Sequence, residues 1–534
     1  MVPATPSVMP SVVKDPFMLR SLLLAAAALA LPGCATVAAP PPAVASVQSG
    51  QSAEANTRAA LRRIEALNPR IHAVIAVDPT ALDQARSLDR IRRTPGPLQG
   101  MPILIKDNIE TAGPLPTTAG SLALRDNVTG RDSPLVERLR QAGAVIVGKA
   151  NLSEWANIRS SDSISGWSPV GGQTRNPHFL NRNTCGSSSG SAAAVAAGMV
   201  PMAVGTETDG SITCPAAVTG IVGMKPTVGL ISRRHIVPIS RSQDTAGPMT
   251  RTVREAALML EAMAGTDPGD PATAEADRRR ENYAARLNPQ ALRGVRLGVM
   301  RFASGFGTNA VFEDALATLR AQGAELVEIR EFPNRGEISR NEFTVLLNEF
   351  KADLNAYLAT TPPQVRTRTL ADVIAFNRAN AATEMPLFGQ DIFEQAEATP
   401  GLDSEAYRTA RATSLRLAGP EGIDRLLREH NVTALVGPTM AASWPIDPVH
   451  GDQYPGGGAG GLAAVAGYPH LTVPMGTLKG LPVGLSFIGP KWSDGLLLGL
   501  GYAYEQASNK RVEPRFLPSV ESQPDIARAL EPVR

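Results

Sequence analysis

Residues 185–212 read Cys185-Gly186-Ser187-Ser188-Ser189-Gly190-Ser191, then AAAVAAGMVPMAV, then Gly205-Thr206-Glu207-Thr208-Asp209-Gly210-Ser211-Ile212. A Gly/Ser run in isolation usually reads as a linker. Here two such runs flank the helix-forming AAAVAAG and sit among apolar segments, and a buried loop must find partners for its amides and hydroxyls. Glycines beside a serine also let backbone amides converge on a developing oxyanion, as acyl transfer requires. A serine nucleophile needs a base, and MPILIKDN, residues 101–108, supplies a candidate. Lys106 ends the apolar run there; burial lowers an amine's pKa and leaves a fraction neutral enough to take a proton. Without the serine loops, an ordinary solvated lysine at a strand end is the better account of Lys106.

Around this stretch, strand-like runs alternate with helical periods. Leu61, Ile64 and Leu67 mark one face of a helix from Glu54, with Asn68-Pro69 as its expected stop. Strands are expected at 103–105, 144–147, 295–300, 325–329 and 434–436, and helices at 134–143 and 309–322. The alternation argues for an α/β fold, a mixed sheet covered by helices. Two interior stretches, GTDPGDPAT (265–273) and GDQYPGGGAGG (451–461), look like loops, and neither is a long polar linker. One large domain over 54–534 is therefore expected.

Composition narrows the function classes. The 534 residues are 43% hydrophobic and 19% charged, enough to bury a large core. Lys plus Arg is 52 against 50 acidic residues, so a net charge of +2 gives no reason to expect nucleic acid as a partner. Three cysteines are too few for a disulfide scaffold or a cysteine-built metal site. GAVIVGK (143–149) has P-loop spacing, but Ala150 replaces the magnesium-holding hydroxyl and Ala144 to Val147 is an apolar strand, so nucleotide binding is rejected. The six histidines show no metal-site spacing, and none lies beside a nucleophile elbow; a metalloenzyme and a Ser-His-Asp hydrolase are both poor fits.

KDNI, CGSSSGSAAAVAAG and GTETDGSI, followed by CPAAVTGIVGMKPTVGLISR, SQDTAGPM and, near the C-terminus, AGYPHLTVPMG and GLPVGLSFIG, resemble the amidase signature family over essentially the whole mature chain. The resemblance implies a single α/β domain and a cofactor-free amide hydrolase. It makes Ser211 the nucleophile, Ser187 a bridging serine after a cis peptide bond, and Lys106 the base, with the backbone amides of Thr208, Asp209, Gly210 and Ser211 as oxyanion hole. Two departures stand out: Asp209-Gly210 where many members have two glycines, and Thr213 where an arginine often stands. With NLSEWANIRSSDSISGWS and GGQTRNP, they resemble bacterial peptide amidases, which deamidate peptide C-termini. Asp162, Ser163 and Gln173 are candidate substrate contacts. Cys185 and Cys214 flank the two serines; a disulfide and two buried thiols are both open.

The N-terminal region reads as an export signal. From Met18, MLRSLLLAAAALALPGC has one arginine, an apolar run from Leu22 to Leu31, then small residues. The run is about half the roughly 20 residues a membrane-spanning helix needs. Residues 1–33 are expected to be the signal, with Met18 as the suspected true start, and 34–53 a Pro/Ala-rich tether. Leu31-Pro32-Gly33-Cys34 resembles a lipobox, making Cys34 the candidate lipidation site and a membrane lipid anchor a candidate partner; cleavage after a later alanine is the alternative. The expected substrate is a small-molecule or peptide amide, with no cofactor, metal or obligate protein partner implied. Other readings are a general exported amidase, the amidase component of glutamyl-tRNA(Gln) amidotransferase, which a leader argues against, and a solute-binding lipoprotein, which leaves Lys106, Ser187 and Ser211 unexplained.

Overall fold

The computed structural model describes residues 51–91 and 96–532. The expected signal, most of the tether and Cys34 lie outside them. Among the described residues thirteen strands are formed: β1 (Val74–Val77), β2 (Pro102–Lys106), β3 (Val145–Ala150), β4 (Trp167–Ser168), β5 (Gly172–Gln173), β6 (Met202–Glu207), β7 (Val222–Lys225), β8 (Thr245–Thr250), β9 (Arg296–Met300), β10 (Glu325–Ile329), β11 (Ala434–Pro438), β12 (His470–Leu478) and β13 (Leu481–Ile488). Eleven build one sheet in the order β1-β3-β2-β6-β8-β7-β12-β13-β11-β9-β10, and β4 pairs with β5 apart from it. Pairing is parallel in β3-β2-β6 and β11-β9-β10 and antiparallel elsewhere, the mixed α/β sheet expected.

The central strands are buried on both faces, which is why they read as continuous apolar runs rather than alternating ones. Ile103 and Ile105 of β2 join a core with Met202, Val204, Leu260, Phe312 and Leu497 on one side of the sheet. Leu104 points the other way, into a core with Ile64, Leu67, Val145, Ala203 and the alanines of helix Ser189–Ala196. That helix has every residue buried, so small side chains are what its position between sheet and neighbours allows. Lys106, two residues beyond Leu104, lies on the same face by strand alternation.

The first helix spans Ala53–Ile71 and so runs through Asn68-Pro69, correcting the expected stop. Proline removes only one bond in a last turn, and the helix closes instead at His72, left-handed at φ 49°, whose N–H donates to the Asn68 carbonyl. The Asn68 amide meanwhile bonds both backbone groups of Val74, fixing the turn into β1. The stretch 265–273 is no free loop: Asp267 and Asp270 bind the guanidinium groups of Arg234 and Arg233. Within GAVIVGK, Lys149 is a buried strand residue paired with Asp107 at 3.2 Å, so it is not available to a phosphate.

Candidate active site

Parallel neighbours β2 and β6 end at the same edge of the sheet, with Ile105 opposite Val204. Lys106 and Thr206 therefore meet where strand becomes loop, the usual place for a site on parallel strands. Lys106 Nζ lies 2.8 Å from Ser187 Oγ and 2.8 Å from Thr206 Oγ1, with the Thr206 carbonyl at 3.3 Å. Asn108 Nδ2 donates to the same Thr206 Oγ1 at 3.0 Å. Both Lys106 and Ser187 are fully buried. Burial brings the Lys106 amine down to about 7 against the opposing pull of the Asp244 and Glu207 carboxylates.

The two serine segments are held by their own backbone. The Gly186–Ser187 peptide is cis. A Cβ on Gly186 would sit 2.2 Å from Ser153 Oγ, so only glycine fits. Ser188 N–H donates to the Ser211 carbonyl at 3.2 Å and Ser188 Oγ to the Thr206 carbonyl at 3.1 Å, tying the first segment to the second. The Cys185 and Cys214 sulfurs form a disulfide between the same two segments, which settles the alternative left open by the sequence. Glu207 Oε2 accepts from the N–H groups of Ile212 and Thr213 and from Thr213 Oγ1, and so caps the helix Thr213–Thr219 that follows Ser211. Thr213, the residue standing where an arginine is common, completes this cap.

Between Glu207 and Ile212 the chain turns through Gly210, left-handed at φ 76°. Among the described residues, the N–H groups of Asp209, Gly210 and Ser211 donate to no protein acceptor. Ser211 is 8% exposed and, with Ser187, Thr208, Val237, Ile239 and Tyr357, lines a cavity of about 360 Å³. Thr208 Oγ1 donates to Asp244 Oδ1 at 2.6 Å, while Asp244 Oδ2 accepts from the N–H groups of Ile239 and Ser240. Asp244 thus holds the 237–240 wall against the 208–211 turn; its burial raises its own pKa to about 6, these hydrogen bonds opposing. At the rim, Arg233 pairs with Asp270 and Arg241 with Asp353.

The structure brings Lys106, Ser187 and the Thr208–Ser211 turn together. Asp162, Ser163 and Gln173 are not among the residues lining this cavity. Ser163 and Gln173 direct their side chains to backbone carbonyls of their own loop, and Asp162 is at the surface. Thr206, Asn108, Glu207 and Asp244 went unassigned in the sequence, although GTETDGSI and SQDTAGPM contain three of them. The usable signal was a carboxylate four residues before a loop serine, with no cation in sequence to pair it.

An amidase family model matches residues 55–498. A peptide amidase structure from Stenotrophomonas maltophilia shares 52% identity at a TM-score of 0.83, covering 87% of this chain and 96% of that one. A probable amidase of Arabidopsis thaliana is 41% identical over 470 residues, 86% of this chain and 87% of its own. A glutamyl-tRNA(Gln) amidotransferase subunit from Salinispora arenicola is 36% identical over 480 residues, 86% and 95% of the two chains. The buried amine, the paired serine segments and the sheet that carries them thus occur in a chain that belongs to the amidase signature family and is an amide hydrolase.

Proposed function

We propose that this protein hydrolyses the C-terminal carboxamide of peptides through an acyl-enzyme on Ser211, with Ser187 as proton bridge and Lys106 as base. The observation that carries the proposal is the contact of Lys106 Nζ with Ser187 Oγ inside a fully buried setting, beside a turn of unpartnered amides. A neutral amine has two hydrogens and one lone pair. Thr206 Oγ1 and the Thr206 carbonyl take the hydrogens, which leaves the lone pair for the Ser187 hydroxyl.

Lys106 accepts the Ser187 proton as Ser187 accepts that of Ser211, and Ser211 Oγ attacks the amide carbonyl. The oxyanion receives the free N–H groups of the 209–211 turn, donors already in place before charge develops. The relay returns one proton to the departing nitrogen, so ammonia leaves; water then attacks the ester and gives its proton to the same path, restoring Ser211 and releasing a peptide acid. No cofactor enters these steps.

The cavity and the comparisons support a peptide amide over other amides. Its apolar wall at Ile236–Ile239 suits a side chain, and the arginines of its rim are neutralised by aspartates rather than free to select a carboxylate. The peptide amidase likeness is also higher in identity than that to the amidotransferase component. Export is part of the proposal, because a disulfide between the catalytic segments persists in an oxidising compartment; Cys34 is its candidate lipidation site. The test is ammonia release from peptide amides, free amino-acid amides and fatty-acid amides. Preference for di- and tripeptide amides without internal cleavage is expected; equal rates, or preference for fatty amides, would contradict it.

A further inference from the structure

The nucleophile turn contributes to two cavities. Thr208 and Ser211 line the one described above, whereas Asp209 and Gly210 line a second of about 340 Å³. Its wall includes Glu342, Arg335, Tyr454, the 457–461 segment with its four glycines, and His470. The Asp209 carboxylate faces the solvent of that cavity and accepts no hydrogen bond from any described residue. A Cβ on Gly461 would stand 3.2 Å from Asp209 Oδ2, so glycine keeps that oxygen clear. Glu342, 8% exposed, accepts Gln243 Nε2 at 2.8 Å on one oxygen and, among the described residues, has no donor on the other.

His470 is fully buried at the back of this cavity, and its Nδ1 has no hydrogen-bond partner among the described residues. Its Nε2 contacts Ser486 Oγ at 2.6 Å, and Ser486 Oγ donates its single proton to Thr439 Oγ1 at 2.9 Å. With the ring hydrogen on Nε2, facing Ser486 Oγ, Nδ1 is a bare acceptor. A Cβ on Gly460 would be 3.5 Å from Nδ1. Burial holds the ring neutral, with a pKa lowered to about 3.

The wall thus presents several acceptors and one guanidinium, that of Arg335, whose hydrogen bonds go to backbone carbonyls. Arg335 donates to the carbonyls of Phe302 and Gly458, and Lys225 to that of Pro226, with Glu207 and Asp494 as further balance to its charge. Burial raises the pKa of Glu342, and the Asp209 charge across the cavity adds to it. A donor cation relieves that repulsion and supplies charge-assisted hydrogen bonds. The Tyr454 ring adds a face that attracts cations.

We infer that this second cavity is a substrate subsite for a cationic group, an ammonium or guanidinium carried on the acyl portion of the amide. The inference rests on the peptide amide reading and deepens it: substrates are peptide amides bearing a free N-terminal ammonium or a basic side chain.

The test compares kcat/KM for two matched pairs: a dipeptide amide against its N-acetyl form, and an N-acetylated lysyl dipeptide amide against its norleucyl counterpart. A tenfold or larger advantage for the cationic member is expected in at least one pair; the first assigns the terminus, the second the side chain. In Glu342→Gln the cationic-to-neutral ratio should fall toward one. Should that variant not fold, the wild-type protein decides the question: an alkylguanidine should inhibit competitively where the alkylurea of equal length does not. Ammonia release with equal kcat/KM in both pairs, or equal inhibition by guanidine and urea, overturns this inference alone. Absence of ammonia release from every peptide amide overturns the underlying function instead.

Discussion

Lys106 Nζ stands 2.8 Å from Ser187 Oγ, and neither residue has any solvent exposure. An amine in that position is useful as a base only when neutral. With its pKa brought down to about 7 by burial, Lys106 is mostly protonated below that pH and mostly neutral above it. The kcat/KM profile should therefore rise with pH through a midpoint near 7. Lys106→Ala should remove this rise and lower kcat by about 10²- to 10⁴-fold. A wild-type profile with no rise across neutral pH would contradict the assignment of the base.

The two serines should differ in what their loss does. Ser211→Ala removes the atom that the proposed mechanism acylates, and kcat should fall by roughly 10⁴-fold or more. Ser187→Ala removes a relay that a water molecule can partly replace, so a weak residual rate should survive, about 10²- to 10³-fold below wild type. Ammonia release at saturating substrate measures both; a Ser211→Ala protein more active than Ser187→Ala would reverse the roles.

Glu207 caps the helix behind Ser211 with three hydrogen bonds to one oxygen. Glu207→Gln turns a charged acceptor into a neutral one. It should cost about 1–3 kcal/mol of stability and lower kcat by about 10- to 100-fold through a displaced turn. Thermal unfolding and kcat, measured together, check this; an unchanged kcat would show that the turn holds its shape without the cap.

The Cys185–Cys214 disulfide closes a span of 29 residues that begins just before Ser187 and ends just after Ser211. Its removal in Cys185→Ser/Cys214→Ser should cost about 2–4 kcal/mol, seen as a lower thermal midpoint. Reduction of the wild type should act in the same direction and reverse on reoxidation. Thiol titration of the denatured, unreduced protein gives the direct check on these two cysteines: two free thiols would contradict the bridge.

Legibility in the sequence followed the locality of the signal. Glu325 to Ile329 reads as a strand from its own short apolar run and is one, at the edge of the sheet. Pro69 misled because a proline's cost depends on which turn it occupies, and the Asn68–Val74 bonds that close the helix beyond it lie in the next element. Lys106 and the serines were legible as motifs, yet their contact depends on β2 and β6 being parallel neighbours, a fact of sheet order. The second cavity was not legible at all. Glu342, Tyr454 and His470 are far in sequence from Asp209 and each alone reads as an ordinary surface or core residue, while Asp209 stands out only for its backbone and its departure from a glycine. Asp162, Ser163 and Gln173 lie outside the lining of the first cavity, and Ser163 and Gln173 donate to carbonyls of their own loop, pairings that only the folded loop defines.

The proposed transfer of a peptidyl group from a peptide amide to Ser211 is open to direct observation. Rapid acid quenching of the protein during turnover of a dipeptide amide, followed by peptide mapping by mass spectrometry, traps whatever acyl-enzyme is present. The dipeptidyl group should be found in ester linkage on Ser211 and be absent from Ser211→Ala, with ammonia and the peptide acid as products. Acylation at another residue, or undiminished turnover in Ser211→Ala, would contradict the mechanism.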